Sequence, residues 1–208
     1  MIEELIRYNR QQLVITVAGR PGMGRTKLIH HIITKAVEFA FPPSDILLIS
    51  PSEYFGNNDM CRCTDDLFHI DDIVEKCMEY ADLKLIVIDD LEHIDVGFKA
   101  GSDEEKYSVI MRKLRKVAKA FDCLLIAVAK LGREIEKRPD RRPLLSDLNP
   151  TISLYSDVVI LLYRDGYYDD EISDEDDWLE VFLVKNKSGS TGHITYSSLE
   201  DDMTVIDW

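Results

Sequence analysis

Five short runs of nearly unbroken apolar residues punctuate the chain: LVITVA (13–18), DILLIS (45–50), LKLIVID (83–89), CLLIAVA (123–129) and DVVILLY (157–163). Runs of this length without polar alternation are the signature of strands buried on both faces, as in a parallel sheet. Between them, TKLIHHIITKAVEFA (26–40), IDDIVEKCMEYA (70–81) and EEKYSVIMRKLRKVAKAF (104–121) space their apolar residues three and four apart, the period of an amphipathic helix. Near the end, WLEVFLVKNK (178–187) and GHITYSS (192–198) are joined through SGSTG, which predicts an antiparallel hairpin. The pattern predicts an α/β fold: a mostly parallel central sheet with helices on both faces and a carboxy-terminal β-hairpin. No repeat, low-complexity tract or linker interrupts it, so a single domain over residues 1–208 is expected.

The first apolar run leads into VAGRPGMGRTKL (17–28). A glycine-rich turn between a strand and a helix presents backbone N–H groups to phosphate, and the phosphate-loop pattern is G-x-x-x-x-G-K-[ST]. Gly19, Gly24 and Thr26 fit it, with Arg20, Pro21 and Gly22 inside the loop, but the lysine that reaches the terminal phosphates is replaced by Arg25. A second element supports the first. LKLIVIDD ends a buried strand in carboxylates, where Asp89 would hold a magnesium ion together with Thr26. Asp90 reads equally as an ordinary strand-end carboxylate. ATP and Mg2+ are therefore the expected ligands.

Charge narrows the partners. The 208 residues carry a net charge of −14, with carboxylates crowded into RDGYYDDEISDEDDW (164–178), which reads as a solvated hairpin tip or loop. A field of this sign opposes nucleic acid, whose affinity is dominated by phosphate contacts with Lys and Arg. The one basic cluster, Arg133, Lys137, Arg138, Arg141 and Arg142, reads either as a nucleic-acid patch or as a salt-bridged loop. Little single-stranded DNA binding is expected at physiological salt. Cys61, Cys63, Cys77 and Cys123 have no paired metal-ligand spacing and read as reduced structural thiols. No apolar run approaches bilayer length and MIEELIRYNRQQ lacks the apolar centre of a signal peptide, so a cytoplasmic protein without membrane association is expected.

These blocks resemble a family, the DnaB-type replicative helicases with their RecA-like ATPase core. GRPGMG is close to that family's version of the loop and LIVIDDLEHI resembles its second motif. EKRPDRRPLLSDL followed by SDVVILLYRDGYY is closer still, and LVKNKSGSTGHITY resembles its KQRNGPTG segment. The resemblance runs from about Leu13 almost to the end. It implies a RecA-like P-loop NTPase fold and ATP-driven DNA unwinding by a ring. The family's amino-terminal domain and linker helix have no counterpart in the sequence, and YFGNNDMCRCTDD stands where the family has a longer stretch. Without that linker a monomer or weak dimer is expected at micromolar concentration.

The departures fall on chemistry. The family's general base is a glutamate in a Ser-x-Glu setting beyond the second strand; here Ser52 stands at that register and Glu53 follows one residue later, pointing the opposite way on an extended segment. Where the family has a Ser-Gln pair that senses the terminal phosphate, this chain has Ala129 and Lys130. The arginine finger matches Lys187, with Lys185 retained before it. A finger alone is worth roughly 10³ to 10⁵ in rate, and lysine lacks its planar fork. Two readings follow. The first is a DnaB-like helicase core whose hydrolysis is impaired or lost unless compensated by Asp90, which follows Asp89 as a glutamate base does in other phosphate-loop ATPases, and by Lys130 reaching an anion. The second is a non-catalytic nucleotide-binding or scaffold protein that engages a helicase or another replication protein.

Overall fold

A computed structural model describes residues 13–51, 59–65, 68–169, 171–173, 177–197 and 205–207. The five apolar runs become β1 (Val14–Gly19), β2 (Ile46–Ile49), β4 (Leu85–Asp89), β5 (Leu124–Lys130) and β6 (Val158–Tyr163). The hairpin strands are β7 (Leu179–Asn186) and β8 (Gly192–Tyr196), and two three-residue strands, β3 (Arg62–Thr64) and β9 (Val205–Asp207), complete the sheet. Among the described residues its order is β3-β2-β4-β5-β1-β6-β7-β8-β9. Every neighbouring pair from β3 to β6 is parallel, and β7, β8 and β9 follow antiparallel.

Successive side chains on a buried strand pack on opposite faces. Ile15, Val17, Leu85, Val87 and Ile160 face α1 (Arg25–Phe39), which buries Leu28, Ile29, Ile32 and Ile33 against them. Val14, Ala18, Ile86, Ile88 and Val159 face α2 (Ile70–Met78), α3 (Asp103–Phe121) and the short α4 (Pro150–Tyr155). Helices on both faces follow from these unbroken apolar strands, as the pattern predicts.

The starts of α1 and α3 differ in a way that matters for function. At α3, Ser102 accepts a hydrogen bond from the Glu105 N–H (3.2 Å), and Asp103, Glu104 and Glu105 fill a first turn where carboxylates complement the helix dipole. In contrast, α1 begins straight from Gly24 in the left-handed region (φ 81°), with no side-chain cap and no acidic residue in its first turn. Its first amides are left to other acceptors.

Three elements lie outside the hydrophobic pattern. α4 is started by Asn149, whose side chain accepts from the Thr151 N–H, with Pro150 in its first turn, a local signal too short to carry an amphipathic period. β3 and β9 have three residues each, and their identity as strands rests on pairing with β2 and β8. The acidic stretch is corrected in part: Asp177 is buried rather than solvated, hydrogen-bonded to Arg164 and to the Gly166 N–H. No helix among the described residues is long and apolar enough to cross a membrane.

Candidate functional site

Parallel strands bring their carboxy-terminal ends to one edge, and the chemistry gathers there. β5 lies between β1 and β4, pairing Lys130 with Gly19 on one side and Val128 with Asp89 on the other. Gly22 (φ 84°) and Gly24 (φ 81°) both occupy the left-handed region that favours glycine, which lets the loop from Gly19 to Thr26 curl over the start of α1. Met23 N–H closes the turn onto the Arg20 carbonyl (3.2 Å). The Arg20 guanidinium ties the loop to the segment after β5, donating to Glu136 Oε1 (2.9 Å) and to the Leu131 carbonyl (2.9 Å). Pro21 is exposed at the loop's outer turn.

Asp89 is oriented by Ser50, whose hydroxyl donates to Asp89 Oδ2 (2.9 Å). Register explains the pairing, since Ile49 and Ile88 are partners and the next residue on each strand meets its neighbour. Burial raises the Asp89 carboxyl above its ordinary value, against the opposing pull of Ser50, Arg25 and Lys130. Asp90 is committed elsewhere. Its Oδ2 pairs with Lys130 Nζ (2.6 Å) and its Oδ1 caps the 3-10 turn Leu91–His93 through the Glu92 N–H (3.3 Å). Burial opposes its charge, but contacts with Glu92 and Lys130 and the field of Arg25 prevail and hold it well below the carboxylate range.

Glu92 is the counterpart of that pair. Its Oε1 accepts the Lys130 backbone N–H (2.7 Å), while Oε2 is buried without a partner among the described residues. Burial first, and then the neighbouring Asp90, push its carboxyl up to about 7. Of the two carboxyls, Glu92 is the one its surroundings push towards the neutral form. Arg25 points its field at Asp89 and Asp90, yet its Nη1 is buried with no partner among the described residues. An orphaned guanidinium N–H between a phosphate loop and two carboxylates fits an anionic ligand neutralised by a cation. Ser50 and Glu92 are absent from the sequence reading: only strand register shows the first, and only the fold shows the second.

Lys187 lies at the other end of the strands. Its Nζ pairs with Asp157 Oδ1 (2.8 Å), whose Oδ2 accepts from the N–H of Val14, the first residue of β1. At about 3.3 Å per residue this is roughly 17 Å from Gly19, so Lys187 does not meet its own chain's loop. Lys185 donates to the Ser153 carbonyl nearby. The basic cluster is brought beside the phosphate edge but largely paired within the chain. Lys137 binds Glu134, Arg138 binds both oxygens of Asp147, and Arg142 binds Glu180 and Asp165. Arg141 stacks over the Tyr168 ring (4.6 Å), and Arg133 is exposed at the head of the same segment. Glu53 and Ser52 lie outside the described residues. Burial pushes the thiols of Cys61, Cys77 and Cys123 up to about 12, which keeps them un-ionised.

Comparison with known proteins gives this geometry a lineage. The family described as the DnaB-like helicase C terminal domain matches residues 57–204. The replicative DNA helicase DnaC of Bacillus subtilis (strain 168) is 30% identical over 138 residues, which cover 64% of this chain and 30% of that protein. The replicative DNA helicase DnaB of Mycoplasma pneumoniae is 26% identical over 258 residues, covering 98% of this chain and 54% of that protein. The chain thus spans about a third to a half of the length of these relatives. Among solved structures, an ATPase domain superposes with a TM-score of 0.79 at 22% identity, covering 95% of this chain and 86% of that one. A DnaB-like replicative helicase, described with its interactions with primase, superposes with a TM-score of 0.76 at 22% identity, over 90% of this chain and 55% of that one.

Proposed function

The chain belongs to the family of the DnaB-like helicase C terminal domain, with the RecA-like ATPase fold, and on that premise we propose that it is a nucleotide-binding domain of DNA replication whose hydrolysis is impaired. One observation carries the reading: Asp90, the carboxylate beside Asp89 at the phosphate edge, is locked to Lys130 at 2.6 Å and held strongly acidic. A general base works best with a pKa near the operating pH, and a carboxylate clamped by an ammonium has little drive to accept a proton from water.

The binding frame is intact by contrast. The amides at the start of α1, which no side chain caps, and the Arg25 Nη1, unpartnered among the described residues, suit phosphate oxygens. Thr26 and Asp89 are the residues that would hold a magnesium ion, which neutralises charge between phosphate oxygens when bound. Arg25 keeps the charge of the missing lysine, while its flat head must fit a loop built for a compact ammonium. Residues 1–208 act in this reading as one RecA-like domain.

The internal pairing of Lys137, Arg138 and Arg142 favours a role through a replication protein partner over a grip on DNA, because each of those cations gains a phosphate only by giving up a carboxylate. Calorimetry with ADP and magnesium, followed by steady-state phosphate release with and without single-stranded DNA, tests the proposal. Expected are measurable binding and background turnover. Brisk turnover by the unmodified protein, abolished by Asp89→Ala, overturns it. Light scattering addresses assembly, with a monomer or weak dimer expected and a stable nucleotide-free hexamer contradicting it.

A further inference from the structure

The phosphate loop is gripped from outside at two points. Arg20 anchors its first half to the segment after β5. The second hold comes from the connection between β6 and β7, which the nucleotide-binding reading leaves unused. Arg164, the first residue after β6, donates Nη1 to the Gly22 carbonyl (2.9 Å) and turns Nη2 to Asp177.

Asp177 is 5% exposed, and its other oxygen accepts the Gly166 N–H (3.0 Å). It is seated against a position that only glycine fills, since a Cβ on Gly166 would lie 2.4 Å from Asp177 Cγ. Tyr167, next along the turn, lays its ring on the loop itself: a Cβ on Gly22 would come within 2.6 Å of the ring.

These contacts act on one peptide. The C=O and N–H of a trans peptide point in opposite directions, so a guanidinium holding the Gly22 carbonyl also fixes the Met23 N–H. That N–H closes the turn onto Arg20 and sets the direction in which Gly24, Arg25 and Thr26 enter α1. The planar fork of arginine serves a carbonyl and a carboxylate at once with different N–H groups; an ammonium offers one small head for both. A buried carboxylate with two fixed partners in turn leaves the guanidinium little freedom to swing away.

We propose that Arg164 is a positioning residue for the phosphates of a bound nucleotide, holding the Gly22 peptide in its binding conformation while Asp177 orients the guanidinium and Tyr167 packs against one side of the glycine. It rests on the nucleotide-binding reading above. It also gives one member of the acidic stretch a specific task that a solvated loop would not have.

The test uses the whole chain and two independent readouts: ADP affinity with magnesium by calorimetry, and amide hydrogen exchange at residues 20–26 against that of β4 and β5. Arg164→Lys keeps the charge facing Asp177 but cannot bridge to the Gly22 carbonyl as well. Asp177→Asn keeps an acceptor for Gly166 and loses the charge. Both variants are expected to weaken ADP binding about 10-fold and to speed exchange at 20–26 by a similar factor, with β4 and β5 unchanged. Parental affinity and parental exchange in Arg164→Lys overturn the proposal, and that variant decides alone if Asp177→Asn does not fold. If the unmodified chain fails to bind ADP at millimolar concentration, the nucleotide reading fails, and the exchange measurement still decides whether Arg164 holds the loop.

Discussion

At each end of the parallel strands the chain buries an aspartate among cations, and the two clusters are completed to different degrees. At the amino-terminal end, Asp157 accepts from Val14 N–H, from both Arg115 nitrogens (2.9 and 3.1 Å) and from Lys187, a set that uses both oxygens. Burial alone would raise the Asp157 carboxyl, but these donors outweigh it and hold it below the ordinary range. At the phosphate edge, Asp89, Asp90, Glu92, Arg25 and Lys130 form a cluster that is closed only in part. All four buried side-chain polar atoms without a partner among the described residues, on Arg25, Glu92, Arg164 and Tyr168, belong to this end. A buried polar atom left unpaired costs free energy, and native proteins keep few. A saturated cluster is scaffold; an unsaturated one next to a glycine-rich loop leaves polar atoms that the proposed nucleotide would partner.

The strongest attempt to break this contrast is to rebuild the phosphate edge as a catalyst. Arg25→Lys alone should improve nucleotide binding and leave phosphate release near background, because groups acting on one transition state are strongly non-additive. Joined with Ser52→Glu, Lys130→Gln and Lys187→Arg, it should raise turnover by more than the product of the single effects, on the order of 10²-fold, under conditions where subunits meet. Additive single effects in a steady-state assay contradict this.

At the saturated end the expected effect is on stability. Asp157→Ala removes one acceptor from four donors and should cost about 2 kcal/mol in urea unfolding, a modest figure because Arg115 and Lys187 are partly exposed and regain water. ADP affinity should not change. The Asp157 carboxyl is depressed in the folded state, so its contribution is present above the unfolded pKa and is lost as pH falls below about 4. The stability gap between parent and variant should therefore narrow as pH falls below about 4, and a gap that does not narrow argues against the assignment.

Glu92 predicts the opposite pH dependence and a smaller effect. Its folded carboxyl is raised to about 7, so the folded state holds a proton the unfolded chain releases, and stability falls as pH rises from the unfolded value near 4 through 7. Glu92→Gln keeps an acceptor for the Lys130 N–H and should stabilise by about 1 kcal/mol at pH 8 with no gain at pH 4. Thermal melts at both pH values check it. The smallest effect is expected at the basic segment: Arg141→Ala should leave single-stranded DNA binding as weak as in the parent at physiological salt, whereas a submicromolar, salt-sensitive complex weakened by this change would restore the nucleic-acid patch.

Much of the molecule was written locally. Unbroken apolar runs forced strands buried on both faces, three- and four-residue spacing forced the long helices, and glycines at 22 and 24 with Thr26 marked the phosphate loop, because each of these rests on neighbours in sequence. The resemblance then pointed to substituted catalytic positions. Only the tertiary structure decided what those substitutions do. Asp90 and Lys130 meet because β4 and β5 run side by side, Ser50 reaches Asp89 because β2 and β4 are in register, and Lys187 is carried to the far end by the antiparallel run of β7. The same holds for Asp177, which sequence placed in a solvated acidic run and the fold buried beside Arg164. Hydrophobic periodicity reports which face of an element is dry; which charged groups become partners depends on strand order and register, and these exist only once the sheet has formed.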